Sequence, residues 1–118
     1  MKINSVCALL MCLLISSCSE QPPAASDTAS ADPKLQLLRL GQSRAVSCAS
    51  CHGQQGVSAI AAYPSLAGRS QAELKAALLA YRGGEKTNAL MSAQASALSD
   101  ADIELLSAYF AALPAAKN

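Results

Sequence analysis

Cys48-Ala49-Ser50-Cys51-His52 decides the fold of this chain, because its spacing is that of a covalent haem attachment site, C-x-x-C-H. Two cysteines at this spacing can each form a thioether bond to one vinyl group of the same porphyrin. The histidine that follows is then held close to the iron, where its imidazole can act as an axial ligand. His52 is the only histidine among the 118 residues, so no other imidazole can take that position.

Two other kinds of site also use a C-x-x-C pair: a thioredoxin-like redox disulfide and half of a zinc site. The sequence has no second Cys/His pair that would complete four zinc ligands, and it lacks the strand–helix–strand context of a thioredoxin fold. Neither alternative requires the histidine directly after the second cysteine. The sequence therefore predicts one covalently bound haem c, with Cys48 and Cys51 as its thioether residues and His52 as an iron ligand.

A second axial ligand is available in Met91, the only methionine after the N-terminal segment. A thioether is a soft, neutral ligand that favours ferrous iron, so His/Met ligation raises the reduction potential. A lone methionine is also a common filler of hydrophobic cores. We expect Met91 to lie in a loop just before the last helix, from which it could reach the iron.

The N-terminal residues have the pattern of a secretory signal, in which a positive charge precedes a short apolar run and small residues. Ile15-Ser16-Ser17-Cys18 also resembles a bacterial lipobox, whose cysteine is lipidated and becomes the first residue of the mature protein. The prediction is a lipoprotein signal peptide at residues 1–17 and lipidation of Cys18. Cleavage near the same place by an ordinary signal peptidase is the alternative.

These assignments account for every cysteine and predict a location. Cys7 and Cys12 fall in the predicted signal peptide, so no thiol is left for a structural disulfide. Residues 18–33 are rich in Ser, Ala, Pro and acidic residues, which is typical of a flexible tether. We expect the protein on the periplasmic side of a bacterial membrane, with Ser19 favouring the outer membrane. If Cys18 is not lipidated, the expected location is the soluble periplasm.

The composition limits how the domain can be stabilised and what it can bind. Hydrophobic residues make up 52% of the chain but aromatic residues only 3%, with no Trp and one Phe. A buried haem would supply the large apolar body that these side chains lack. The formal net charge is +1, and nothing favours a nucleic-acid partner, which would require a basic patch.

The remaining patterns are helical, and no segment shows the alternation of a strand. The sequence predicts a first helix from Pro33, with Asp32 as its N-cap, to about Ser47, so that the helix delivers the haem motif at its end. Gly41 lies inside this helix, where a glycine costs about 1 kcal/mol relative to alanine. Its presence indicates the close approach of another helix.

Further helices are predicted in the C-terminal half. One is predicted over residues 70–82, where Ser70 and Glu73 form a capping box at its start and a glycine pair follows its end. The last begins after the capping residue Ser99 and stops at Pro114. The segments 53–68 and 85–98 are predicted to be mostly loop. The expected fold class is all-α, with three to five helices around one haem.

Over about residues 35–113, the sequence resembles the class I c-type cytochromes, most of all the short single-haem bacterial forms and the individual halves of c-four-type cytochromes. The residues that carry the resemblance are Gly41, the haem motif, Tyr63-Pro64-Ser65-Leu66-Ala67-Gly68, Met91 with Ala95, Leu98-Ser99-Asp100, Asp102-Ile103 and Ala108-Tyr109-Phe110. The resemblance implies a class I cytochrome c domain at residues 34–116.

The resemblance also implies roles for residues around the motif. The Pro64 carbonyl would accept a hydrogen bond from His52 Nδ1, which would fix the orientation of the ring. Gly41 would let the first and last helices cross closely, with Tyr109 or Phe110 packed at the crossing. Arg69 could contact a haem propionate, or it could be an ordinary solvated arginine.

Together these features predict an electron-transfer protein and not an enzyme. Its partners would be redox proteins such as a quinol-oxidising complex, a terminal oxidase, a peroxidase or a dehydrogenase. Two other functions fit the same motif. One is a haem enzyme or gas sensor with an open sixth iron site, and the other is a cytochrome subunit of a larger oxidase or dehydrogenase complex.

Overall fold

The computed structural model describes residues 32–116, which form five α-helices and no β-strand. The helices are α1 (Pro33–Arg44), α2 (Val46–His52), α3 (Gln71–Gly83), α4 (Ala89–Ser96) and α5 (Asp100–Ala112). The prediction of an all-α domain with three to five helices is confirmed. The predicted signal peptide, Cys18 and most of the predicted tether lie outside the described residues. None of the helices described here is both long and apolar enough to cross a membrane.

The N-terminal region forms two helices where one was predicted. α1 ends at Arg44, and Ala45 separates it from α2 with φ −82° and ψ 4°. These angles lie in the sparsely populated bridge region, and they interrupt the regular helix at this residue. Ala45 is buried in the core, which holds the break in place. The haem motif therefore lies on a short helix of its own, which begins before the predicted end of the first helix at Ser47.

The segment 85–98, predicted to be mostly loop, contains α4. Asn88 is its N-cap, and the Asn88 side chain accepts a hydrogen bond from the N–H of Met91 at 3.0 Å. Alanine and leucine favour helix most strongly, but a helix this short carries no clear apolar stripe to reveal it. The expectation that Met91 lies in a loop is wrong, because Met91 lies in the first turn of α4.

The predicted starts of α3 and α5 are confirmed by complete capping boxes. Ser70 and Glu73 form the box of α3, and Ser99 and Asp102 form that of α5. In each box the serine hydroxyl accepts from the third backbone N–H, while the acidic side chain accepts from the N–H of the serine. α3 ends at Gly83, and its C-cap, Gly84, has φ 83°, a left-handed conformation that suits glycine.

α5 is the central helix of the domain, and α1 and α3 pack on it. Its buried residues are Ile103, Leu106, Ser107, Tyr109 and Phe110. The close approach expected at Gly41 is present, because a Cβ at this position would overlap the side chain of Tyr109. Tyr109 and Phe110 also contact each other edge to face, with ring centroids 5.0 Å apart. The α1–α5 crossing therefore depends on the absence of a side chain at Gly41.

The loop between α2 and α3 is fastened to the C-terminal end of α5. The N–H of Gly68 donates to the carbonyl of Phe110 at 3.2 Å. Gly56 lies under the Phe110 ring, with φ 70° and no room for a Cβ. The carbonyl of Gly56 in turn accepts from the N–H groups of Leu66 and Ala67 at 2.8 and 3.0 Å. These contacts place the loop beside α2 and the end of α5.

An ion pair joins the end of α1 to the start of α5. Arg44 Nε donates to Asp102 Oδ1 at 2.5 Å, and both side chains are partly exposed. The hydrogen bond from Arg44, together with those from the N–H and hydroxyl of Ser99, holds the pKa of Asp102 well below its ordinary range. The folded protein therefore favours the ionised carboxylate.

Replacing Gly41 by alanine should destabilise the domain because the new methyl group overlaps Tyr109. Overpacking of this kind costs about 1–3 kcal/mol of unfolding free energy. Gly83→Ala is the matched control, since a Cβ there meets nothing within 4 Å. Helix propensity predicts that this control is neutral or more stable by up to about 1 kcal/mol. Denaturant unfolding of the haem-loaded variants measures both effects, and equal stability of the two variants would contradict the crossing described above.

The free energy of unfolding should fall as the pH is lowered below about 4, in part because of Asp102. A depressed carboxyl pKa in the folded state contributes stability that is present above the pKa of the unfolded chain. That stability is lost as the pH falls towards the folded pKa. Asp102→Asn should therefore flatten the acid limb of a plot of unfolding free energy against pH.

Arg44→Gln should flatten the same limb in part, because the hydrogen bonds from Ser99 to Asp102 remain. The double variant should lose no more of the pH dependence than Asp102→Asn alone. Parallel acid limbs in wild type and Asp102→Asn would show that the ion pair does not contribute.

Candidate haem-binding site

A cavity of about 370 Å³ lies beside α2 and brings together residues that are far apart in the sequence. Its wall contains Cys48, Cys51, His52, Pro64 and Met91. Much of the remaining wall is apolar and comes from the loop before α3, from α3, from the segment before α5 and from α5: Leu66, Leu74, Ala77, Leu78, Leu98, Leu106 and Phe110. The volume falls within the range of about 300–1,000 Å³ that is usual for ligand sites.

α2 presents the two cysteines to the cavity. Cys48 and Cys51 are three positions apart, so they share one face of the helix. Both are free thiols and half-buried. Burial raises the pKa of the Cys48 thiol, while a hydrogen bond with Ser47 and the charge of Arg44 act in the opposite direction. Two adjacent thiols therefore line one wall of an apolar cavity.

His52 is the last residue of α2 and is only 6% exposed. Its Nδ1 lies 2.7 Å from the carbonyl oxygen of Pro64. Because a carbonyl can only accept, this contact assigns the proton to Nδ1 and leaves Nε2 as the basic nitrogen that can bind a metal. The pairing of Pro64 with His52 is thus present, and its role towards a bound iron stays a prediction.

Met91 lines the same cavity from the first turn of α4 and is half-buried. The hydrogen bond from its N–H to Asn88 Oδ1 fixes the backbone from which the thioether projects. The structure therefore brings Met91 and His52 to one cavity from two different helices. Ligation of iron by either residue stays a prediction.

Polar side chains also contribute to the wall. Arg69 is exposed and belongs to the cavity lining. Its contact with a haem propionate stays a prediction. Lys86 also lines the cavity, with its Nζ 5.5 Å from the centroid of the Tyr81 ring.

Two residues of the cavity wall, Asn88 and Lys86, were not predicted from the sequence. Asn88 could have been recognised as a helix N-cap from its residue type, since asparagine before an alanine-rich run is typical of that position. Lys86 has no comparable signal in the sequence.

The residues present fit a covalently bound haem. Two half-buried thiols have the spacing needed for thioether bonds, and a buried imidazole has one nitrogen already bonded to Pro64. The apolar wall suits the faces of a porphyrin, and the cations of Arg69 and Lys86 suit its carboxylates. The thiols, the imidazole, the apolar wall and the cations therefore each match one part of a haem group.

Comparison with known proteins agrees with this chemistry. Residues 40–110 match the family described as cytochrome C oxidase, cbb3-type, subunit III. The chain is 37% identical over 73 residues to cytochrome c-554(548) of Halomonas halodenitrificans, which covers 59% of this chain and 88% of that protein.

Two further relatives are matched over part of their length. The chain is 33% identical over 70 residues to the cytochrome subunit of sulfide dehydrogenase of Chlorobaculum tepidum, covering 59% of this chain and 63% of that protein. It is 35% identical over 71 residues to cytochrome c4 of Pseudomonas aeruginosa, covering 60% of this chain and 35% of that protein. The chain therefore spans less than two thirds of each of these two proteins.

The family match covers more than half of this chain, and the match to cytochrome c-554(548) extends over most of that relative. The all-α fold and the paired thiols at the cavity agree with both matches. The chain therefore belongs to the c-type cytochromes, in the family described as cbb3-type cytochrome c oxidase subunit III, and it is an electron-transfer protein that carries covalently bound haem c.

Proposed function

We propose that this protein is a membrane-tethered, periplasmic electron carrier whose haem iron is bound by His52 and Met91. The observation that carries the proposal is the lining of one apolar cavity by both cysteines, by His52 and by Met91. Those four residues supply the two thioether bonds and the two axial ligands that a six-coordinate haem c requires.

Each residue has a distinct task in this proposal. Cys48 and Cys51 hold the haem through their Sγ atoms. His52 binds through Nε2, because its Nδ1 already donates to Pro64. Met91 binds through its thioether sulfur, which is soft and neutral and favours the reduced state. When bound, the haem supplies an iron that gains and loses one electron.

The protein surroundings suit electron transfer because they restrict movement and exclude water. His52 is fixed by the Pro64 carbonyl, and Met91 is fixed by the Asn88 cap. Leu74, Leu106 and Phe110 shield the cavity with apolar groups. Ligands held in this way change position little when the charge of the iron changes. Arg69 and Lys86 would balance the propionates at the edge of the cavity.

We further infer that the electron partner is another redox protein. A dehydrogenase is supported by one relative that is itself the cytochrome subunit of sulfide dehydrogenase. The same relationship supports the second candidate function, that of a cytochrome subunit in a stable dehydrogenase or oxidase complex. Purification of the intact protein distinguishes the two, since a subunit would be recovered with a stoichiometric partner. A quinol-oxidising complex, a terminal oxidase and a peroxidase are further candidate partners.

The membrane tether is proposed from the sequence at residues 15–18, which resembles a lipobox. Cys18 would carry the lipid, and the residues up to 33 would span the distance between the membrane surface and the domain. The outer membrane is the proposed location because Ser19 follows the cysteine. A lipid anchor would keep the carrier close to membrane-bound redox partners.

Met91 ligation predicts a weak sulfur-to-iron band at the red edge of the oxidised visible spectrum. Carbon monoxide should leave the reduced spectrum unchanged, because both axial positions are filled. Met91→Ala should lose the band and bind carbon monoxide rapidly. Its reduction potential should fall by part of the roughly 0.8 V range that axial ligands control.

Leu90→Ala is the matched control, because Leu90 is the neighbouring residue on α4 and also lines the cavity. It should keep the band and resist carbon monoxide. Rapid binding of carbon monoxide by the wild-type protein would instead indicate a haem enzyme or gas sensor with an open sixth site.

Replacing Cys18 by alanine should release the cytochrome from the membrane into the soluble periplasmic fraction. Cys12→Ala is the control, since this cysteine lies within the predicted signal peptide and should leave the membrane association unchanged. Haem staining of the separated fractions measures the distribution. Pelleting of the Cys18→Ala protein with the membranes would contradict lipidation at this position.

A further inference from the structure

We propose that Ser65 and Ser58 are positioning residues for the axial histidine. Through two hydrogen bonds they hold the turn that carries the Pro64 carbonyl against the end of α2, and so they control the strength of the His52–Pro64 hydrogen bond. The role presupposes the ligation of iron by His52 proposed above.

The two serines connect the turn at Pro64 to the haem motif. The hydroxyl of Ser65 accepts a hydrogen bond from the N–H of Ser58 at 3.0 Å. The hydroxyl of Ser58 lies 3.4 Å from the carbonyl of Cys51, towards which it donates. Ser65 directly follows Pro64, and Cys51 directly precedes His52. The hydrogen bonds therefore close a ring that contains the His52–Pro64 contact as one of its sides.

The hydrogen bonds of this ring provide partners for backbone groups at the end of α2 and in the loop that follows it. The carbonyl of Cys51 lies in the last turn of α2, where carbonyls have no partner further along the helix. The single hydroxyl proton of Ser58 is shared between the carbonyl of Ile60, at 3.0 Å, and that of Cys51, and the hydroxyl oxygen accepts from the N–H of Ile60 at 3.1 Å. Ser58 is thus held on both sides, and both serines are half-buried.

Backbone hydrogen bonds restrain the chain on either side of Pro64 but do not act on the carbonyl itself. Before it, the N–H of Tyr63 donates to Ile60 at 3.0 Å, and after it, the N–H of Leu66 donates to Gly56 at 2.8 Å. Ser65 lies between these points, and its hydroxyl is bonded to Ser58 in the loop that follows α2. The bond from the N–H of Ser58 to the hydroxyl of Ser65 is the side-chain contact that couples the residue after Pro64 to the loop beside the motif.

A hydrogen bond at Nδ1 makes the imidazole a stronger donor to a metal through Nε2. A stronger donor stabilises the oxidised iron and lowers the reduction potential. Loss of the Ser65 hydroxyl would leave the Pro64 carbonyl less restrained, so that its bond to His52 is weaker on average. The expected consequences are a higher reduction potential and faster exchange of the Nδ1 proton with solvent.

The test compares Ser65→Ala with Ser65→Thr in the haem-loaded protein, because threonine keeps a hydroxyl at this position. Ser96→Ala is the control, since its hydroxyl bonds only within α4, to the carbonyl of Ala93. The two measurements are the reduction potential and the exchange rate of the His52 Nδ1 proton, followed through its iron-shifted NMR signal. Ser65→Ala should raise the potential and increase the exchange rate several-fold. Ser65→Thr should restore both values towards wild type, and Ser96→Ala should change neither.

Ser58→Ala is a second variant, which keeps the bond from its N–H to Ser65 but removes the bonds of the hydroxyl to Cys51 and Ile60. It should shift both quantities in the same direction as Ser65→Ala, and it serves as the test if Ser65→Ala does not hold haem. Lower thermal stability with an unchanged potential and exchange rate would show that the serines are merely structural and would overturn the proposal. Absence of iron-shifted His52 signals in the wild-type protein would overturn His52 ligation itself, together with this role.

Discussion

The apolar wall of the haem cavity is also the core of the domain. Leu74, Leu106 and Phe110 belong to the buried cluster that holds the helices together, and the same three residues line the cavity. Several other buried hydrophobic residues are alanines, which contribute little apolar area each. Leu66, Leu78 and Leu98 of the same wall are only partly buried, so a large flat group in the cavity would cover apolar surface that the helices leave open. The same residues therefore serve the fold and the cofactor site.

The candidate ligands lie at helix ends, where backbone and side-chain hydrogen bonds fix them without using the middle of a helix. His52 ends α2 and is restrained by the Pro64 carbonyl, while Met91 begins α4 and is restrained by the Asn88 cap. α5 contributes no candidate ligand, but Leu106, Ser107 and Phe110 of its buried face form part of the cavity wall. Rigid placement of two ligands from separate helices is what a carrier of electrons requires, because small rearrangement allows fast transfer.

Local signals allowed much of this arrangement to be predicted from the sequence. The haem motif, the capping boxes at Ser70 and Ser99 and the close approach at Gly41 each depend on a few neighbouring residues. The break at Ala45 and the helix at Met91 were not predicted, because tertiary packing decides them. Ala45 is held in an unusual conformation by the core around it, and α4 is too short and too rich in alanine to show an apolar stripe. The proximity of Lys86 to the cavity likewise depends on how α3 ends.

The bond between Gly68 and the Phe110 carbonyl has a consequence for the order of assembly. The loop that carries Pro64 rests on the far end of α5, so its final position requires a part of the chain that follows it by more than forty residues. α2 itself and its contact with α1 are local in the chain and can form earlier. A chain in which α5 has not yet docked thus presents its cysteines and its histidine on an open face. Docking of α5 then fixes the loop that carries Pro64 beside the haem motif.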